Sequence, residues 1–310
     1  MANFKTSQSI PFVADKGVVY GEPIPMSPMI TRVVARNASP FTYTGTGTYL
    51  VGQSSLAVID PGPEDPTHLA ALMRAIDGRR VEAILITHTH RDHSPLALAL
   101  KGATGAPIIG CAPADPKIGD ALVDEGHDDA YQPDEVLGDG RKVSGDGWTM
   151  VAVATPGHAD QHLCYAFAEE KALFTGDHVM GWATSVIAPP DGNMAAYFAS
   201  LEKLLTRDDA IYYPTHGQPI RNPHAFVEAL IAHRRNRESQ IIDAIAGGYS
   251  TIPEMVPKLY ADTAKALHGA AALSVAAHIF RLVEEGSLES DRTLSPSIES
   301  VMNARFRRPE

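Results

Sequence analysis

The chain has 310 residues, 44% hydrophobic and 20% charged, which supports a folded core and excludes a wholly disordered polymer. A formal net charge of −11 excludes a surface that coats nucleic acid by charge alone, although a local basic patch remains allowed. No stretch approaches ~18 uninterrupted apolar residues, and the first residues lack a charged start followed by an apolar core, so a soluble, cytoplasmic protein without a membrane partner is expected. The two cysteines, Cys111 and Cys164, lie in apolar surroundings and are expected as buried free thiols.

In chain order, β-branched runs predict strands over residues 31–35, 46–51 and 56–59, ending at Asp60-Pro61-Gly62-Pro63. Leu69, Leu72, Met73 and Ile76 then recur at helical spacing over 66–76. The next run, 81–87, is apolar without alternation and predicts a buried strand that ends directly at His88. Further strands are expected at 107–110, 148–153, 163–167, 172–175 and 211–214, with a helix over 194–205. Two mixed sheets covered by helices satisfy this order, as does a single α/β sheet.

From about Asn222 the pattern is helical: 223–246, a Gly247-Gly248 stop, a helix capped by Ser250 or Thr251, then 268–285 ending at Gly286. A short polar segment follows that can make a β-wing, and the last residues read as a flexible tail. The expected division is 1–222 catalytic, 223–295 helical and winged-helix-like, and 296–310 tail.

Chemistry concentrates in Thr87-His88-Thr89-His90-Arg91-Asp92-His93, three imidazoles and a carboxylate directly after a buried strand. In extended backbone, residues two apart project the same way, so His88 and His90 can reach one ion while the turn aims Asp92 and His93 at a second. Three later segments repeat one design, a strand end with a glycine beside a candidate ligand: Pro156-Gly157-His158, Thr175-Gly176-Asp177 and Thr215-His216-Gly217.

The order HxHxDH, a distant His, an Asp and a final His resembles the metallo-β-lactamase superfamily over roughly residues 31–216. The resemblance implies a four-layer αββα sandwich of the α/β class, with one zinc on His88, His90 and His158, the other on Asp92, His93 and His216, and Asp177 bridging both. All seven positions hold the expected residue types. Asp177 departs from the antibiotic-hydrolysing zinc β-lactamases and points to the phosphodiesterase, thioesterase and ribonuclease branches. The helical module, with Thr175-Gly176-Asp177-His178-Val179-Met180-Gly181-Trp182, resembles the lactamase-like endoribonucleases that cut single-stranded RNA and carry a winged-helix-like tail.

The expected enzyme is therefore a hydrolase whose two zinc ions, with iron or manganese open at one position, share a hydroxide that attacks a phosphodiester. Asp92 is the candidate to orient that hydroxide or pass its proton. Asp60, His162, His178 and Trp182 are candidates to support the ligands or touch substrate, whereas His68, His127, His224, His233, His268 and His278 are expected as surface or helix residues. Arg234, Arg235 and Arg237 read as a solvated helix face or a phosphate-contacting patch. Hydrolysis of a small ester, lactone or thioester is the competing enzyme reading, and a nucleic-acid- or partner-binding protein with a structural metal site is the competing class; oligomeric state is open.

Overall fold

The computed structural model describes residues 9–14, 17–115, 126–295 and 297–310. Strands β1 (Ile24–Pro25), β2 (Ile30–Val34), β3 (Gly47–Val51) and β4 (Ser55–Ile59) lead into helix α1 (Pro66–Ile76), β5 (Arg80–Ile86), α2 (Leu96–Thr104), β6 (Ile108–Gly110) and β7 (Glu135–Val136). The seven strands pair in sequential order, antiparallel from β1 to β4 and parallel from β4 to β7. A second sheet is built from β8 (Lys142–Gly145), β9 (Trp148–Ala154), β10 (Leu163–Phe167), β11 (Ala172–Gly176) and, after helix α3 (Met194–Leu205), β12 (Ile211–Pro214), in the order β12-β11-β10-β9-β8. The fold is thus of the α/β class with two mixed sheets.

Strand β10 shows why the two sheets stack. Leu163, Tyr165 and Phe167 point into a core shared with the first sheet, and Cys164 and Ala166 into a core shared with α3. Successive side chains leave a strand on opposite faces, so an unbroken apolar strand must be covered on both. Helices α1 and α2 cover the far side of the first sheet through Leu72, Ile76, Leu96 and Leu100. Both cysteines are buried and free, as expected.

Helix α4 (Pro223–Ala246) begins where the expected domain division falls, yet it serves two cores. Phe226, Val227, Leu230 and Ile231 pack with α3, while Ile241, Ala244 and Ile245 pack with α5 (Ile252–Leu259) and α6 (His268–Glu284). The end of the chain corrects the expected flexible tail. There α7 (Ile298–Met302) buries Val301, and β14 (Phe306–Arg307) pairs antiparallel with β13 (Glu289–Ser290) and buries Phe306. Val301, Ala304 and Phe306 are the buried apolar side chains that dock this otherwise polar stretch.

Helix α5 starts with a capping box: Thr251 Oγ1 accepts the Glu254 N–H and Glu254 Oε2 accepts the Thr251 N–H. Thr251→Ala should lower stability by about 1 kcal/mol, read as a drop in the urea midpoint. His68 and His278, expected as surface or helix residues, lie on α1 and α6 with their side chains buried, and burial holds each down to about 4. Their unfolded pKa is about 6.5, so between those values the unfolded chain binds more protons than the folded one. Stability should therefore rise with pH across that window, by up to about 1.4 kcal/mol per unit for each histidine. Urea midpoints at pH 5 and 7 check this, with His68→Asn expected to show the shallower slope.

Candidate metal centre and active site

Strand direction assembles the site. Because β10 runs antiparallel to both β9 and β11, and β12 parallel to β11, strands β9, β11 and β12 all point the same way. Their carboxyl ends deliver His158, Asp177 and His216, and the parallel pair β4 and β5 delivers Asp60 and the 88–93 loop from the first sheet. Two glycines make the approach possible. Gly157 has φ +142° and a Cβ there would lie 2.4 Å from Tyr197 Cα; Gly176 has φ +50° and a Cβ would lie 2.5 Å from His162 Nε2.

The seven candidate ligands come together and are all buried. His90 Nδ1 lies 2.9 Å from His88 Nε2 and 3.1 Å from His158 Nε2. On the other side, Asp92 Oδ2 lies 2.9 Å from His216 Nε2 and 3.4 Å from His93 Nε2. Asp177 reaches both halves: Oδ1 is 3.5 Å from His93 Nε2, and Oδ2 is 3.5 Å from His216 Nε2 and 4.0 Å from His158 Nε2.

Outer partners fix which ring nitrogens face inward. His158 Nδ1 donates to Val186 O at 2.6 Å, His216 Nδ1 to Gly45 O at 3.2 Å and His93 Nδ1 to Asp60 Oδ2 at 2.9 Å. Each of these rings therefore turns Nε2 into the cluster. Asp60 is fully buried and receives four donors: Thr87 N–H on Oδ1, and Thr87 Oγ1, Thr215 Oγ1 and His93 Nδ1 on Oδ2. One carboxylate so ties β4, β5 and β12 to the loop.

Charge divides the cluster in two. Burial, then the neighbouring rings, pushes His88 and His90 well below the ordinary imidazole value. Burial also pushes His93 and His216 down, but the surrounding carboxylates more than offset it, raising His93 well above its ordinary value and His216 to about 10. Asp92 and Asp177 are held well below the carboxylate range against their own burial, chiefly by His93 for Asp92 and by His216 for Asp177.

The residues fit two divalent cations. Both Asp92 oxygens, Asp177 Oδ1, His93 Nε2 and His216 Nε2 are buried without a hydrogen-bond partner, a costly arrangement unless a ligand satisfies them. Groups whose ligand atoms lie within 4.8 Å of one another include His88-His90-His158, His88-His93-Asp177 and Asp92-His93-His216.

Residues 44–216 match the family model described as the Metallo-beta-lactamase superfamily, and residues 251–293 match the Beta-lactamase associated winged helix domain. The chain belongs to the metallo-beta-lactamase superfamily. Members are generally hydrolases with a dinuclear metal centre. Among superfamily relatives, an atrochrysone carboxyl ACP thioesterase from Paecilomyces divaricatus is 31% identical over 71% of this chain, which spans 65% of that protein's length. The lactamase-like protein vrtG of Penicillium aethiopicum is 32% identical, covering 79% of this chain and 75% of that one. A beta-lactamase-like protein 2 homolog from Caenorhabditis elegans is 30% identical over 87% and 89%. A beta-lactamase domain protein from Burkholderia ambifaria shares the fold, with TM-score 0.75, 19% identity and 96% of both chains covered. No helix among the described residues is long and apolar enough to cross a membrane.

Within this superfamily framework the supporting residues fall into place unevenly. His162 accepts the Asp177 N–H at 3.3 Å and bonds Thr155 Oγ1 at 2.9 Å, so it sets the Asp177 backbone. His178 packs edge-on to Tyr197 with ring centroids 4.8 Å apart, outside the cluster. Trp182 stacks on Tyr43 and lies against Gly217, beside His216. His127, expected as a surface or helix residue, is buried outside any helix: its Nε2 is 3.5 Å from Asp191 Oδ2, which lies 4.0 Å from His90 Nε2. Neither His127 nor Asp191 stood out in sequence: His127 only makes an isolated bridge to His90, and Asp191 sits in a turn, so neither ends a strand.

The arginine cluster divides, with Arg234 buried and Arg235 exposed to solvent. Arg234 is buried with NH2 on Ser185 O, Arg235 pairs with Glu202 at 3.2 Å, and Arg237 stacks over Tyr260 while donating to Leu259 O.

Proposed function

We propose that this superfamily member hydrolyses an acyl thioester or ester of a small molecule at a centre of two divalent ions. The observation that carries the reading is the convergence of seven buried side chains, among which both Asp92 oxygens, Asp177 Oδ1, His93 Nε2 and His216 Nε2 have no hydrogen-bond partner. In it, His88, His90 and His158 hold one ion, Asp92, His93 and His216 the other, and Asp177 reaches both. Zinc suits the imidazoles, and the carboxylates leave iron or manganese open at one position. Such a pair supplies a water of lowered pKa and polarises the oxygen under attack.

The chain's own residues orient and exclude. Asp60 holds the His93 ring, Val186 O and Gly45 O hold His158 and His216, and Asp92 is proposed to keep the proton of the attacking water for the leaving thiol or alcohol. Asp92→Asn should lower kcat by roughly 10²-fold or more, the scale of a lost proton-transfer group. Full turnover in that variant with both ions retained would remove the role.

Support for an acyl substrate comes from the relative named as an ACP thioesterase. The winged-helix module favours the second reading, cleavage of single-stranded RNA as in the endoribonuclease group. Turnover of S-acyl-N-acetylcysteamine thioesters, a lactone panel and single-stranded RNA, with metal content measured alongside, separates the two. Thioester or ester turnover at about two ions per chain is expected; cleavage of RNA alone would overturn the reading.

A further inference from the structure

A cavity of about 260 Å³ lies between the catalytic core and the C-terminal module. One wall is the loop that also braces the metal cluster. Ser185 Oγ donates to Asp177 O at 2.5 Å, and Val186 O accepts from His158 Nδ1 at 2.6 Å, so the same two residues line the cavity and brace the cluster. The opposite wall comes from α4, from Tyr260 at the end of α5 and from Leu267 at the start of α6. Phe41 and Trp182 complete an apolar lining, and Leu267 stands 46% exposed at the rim.

Into this lining α4 brings Arg234. The guanidinium is 4% exposed, and among the described residues no carboxylate pairs with it. One NH2 donates to Ser185 O, and Nε has no partner at all. Glu238, one turn further on, is already engaged by His278 and Arg281. Burying an unpaired cation beside an apolar cavity is unfavourable unless an anion completes it. Arg237, also lining the cavity, adds a second guanidinium. His233, pushed down to about 4 by burial and by both arginines, is neutral at pH 7 and contributes hydrogen bonding rather than charge.

We infer that this cavity binds the acyl body of the substrate, and that this body is flat, apolar and anionic, its acid group paired with Arg234. The inference rests on the acyl-hydrolase reading and adds the substrate class to it. Aromatic side chains suit a planar ring system, and the volume is near the lower end of pockets for drug-sized ligands. A body bound there touches the Ser185-Val186 segment that also holds Asp177 and His158.

The test is calorimetric titration of the metal-loaded full chain with 2-naphthoate and with the neutral isostere 2-naphthamide. The acid should bind roughly 10- to 100-fold tighter, the worth of a hydrogen bond to a charged group. Arg234→Gln should bring the two affinities together, and Ala270→Trp, which fills the cavity from α6, should weaken both ligands about tenfold or more. Should Arg234→Gln fail to fold, the Ala270→Trp result and the acid-to-amide ratio of the parent decide. Equal affinities in the parent, or a preference that survives Ala270→Trp unchanged because the acid sits on the metals, would overturn the inference. Thioester or ester turnover by a parent that shows no acid preference would retire the cavity alone; naphthoate binding as expected without turnover of any thioester or ester would retire the hydrolase reading and the acyl role of the cavity with it, leaving an anion-binding pocket.

Discussion

Asp177→Ala should lower kcat/KM by about 10³-fold or more, at least about 4 kcal/mol of transition-state stabilisation, while the chain still folds. Asp177 reaches both halves of the cluster: Oδ1 lies 3.5 Å from His93, and Oδ2 lies 3.5 Å from His216 and 4.0 Å from His158. Alanine leaves the ligands of each half in place and removes what joins them. Metal content should fall from about two ions per chain to about one, since affinity at the second position loses a charged oxygen. Folding should survive because the substitution also removes the cost of burying a carboxylate. Elemental analysis, steady-state kinetics and a thermal melt on the same preparation check all three; two retained ions with full turnover would sink the bridging role.

Asp60→Ala should act on stability as strongly as Asp177→Ala acts on turnover. The carboxylate is fully buried and satisfies the Thr87 amide, the hydroxyls of Thr87 and Thr215, and His93 Nδ1. Its removal strands those donors in a low-dielectric core, and truncating one member of such a network costs on the order of 3–5 kcal/mol. Asn is no remedy. Its amide must oppose either the Thr87 N–H or the donors gathered on Oδ2, so one clash between donors follows whichever way it is turned. With His93 released, metal affinity should fall roughly 10- to 100-fold as well. Urea unfolding and metal titration read the two effects separately, and a variant as stable as wild type would show that the network contributes nothing net.

Both predictions concern residues that differed in how visible they were. Asp177 stood at a strand end beside a glycine, within a pattern of ligand types, and its position could be read directly. Asp60 looked equally like a turn residue, since Asp-Pro-Gly makes turns whether or not the side chain has partners. Helices α1, α3 and α4 were legible to their ends because their signals are local: apolar spacing, proline in the first turn of α1 and α4, and the Gly247-Gly248 stop. Helix α2 escaped notice, as Leu-Ala-Leu-Ala-Leu alternates like a strand and Pro95 offers no side-chain cap. Strand β8 was missed for the opposite reason: its polar, half-exposed residues carry no apolar pattern, and only pairing with β9 makes them a strand.

By itself the sequence determined the donor set and the class of chemistry, because imidazoles and carboxylates at glycine-flanked strand ends are specified one segment at a time. Tertiary structure alone decided which of those groups meet, which ring nitrogens face inward, and that His127 and Asp191 border the cluster while His178 does not. It also decided that Arg234 is buried against a cavity rather than solvated. The reason is physical: burial and hydrogen-bond partners depend on chain segments more than a hundred residues apart, such as Asp60 with Thr215, which the two stacked sheets bring together and no local pattern records.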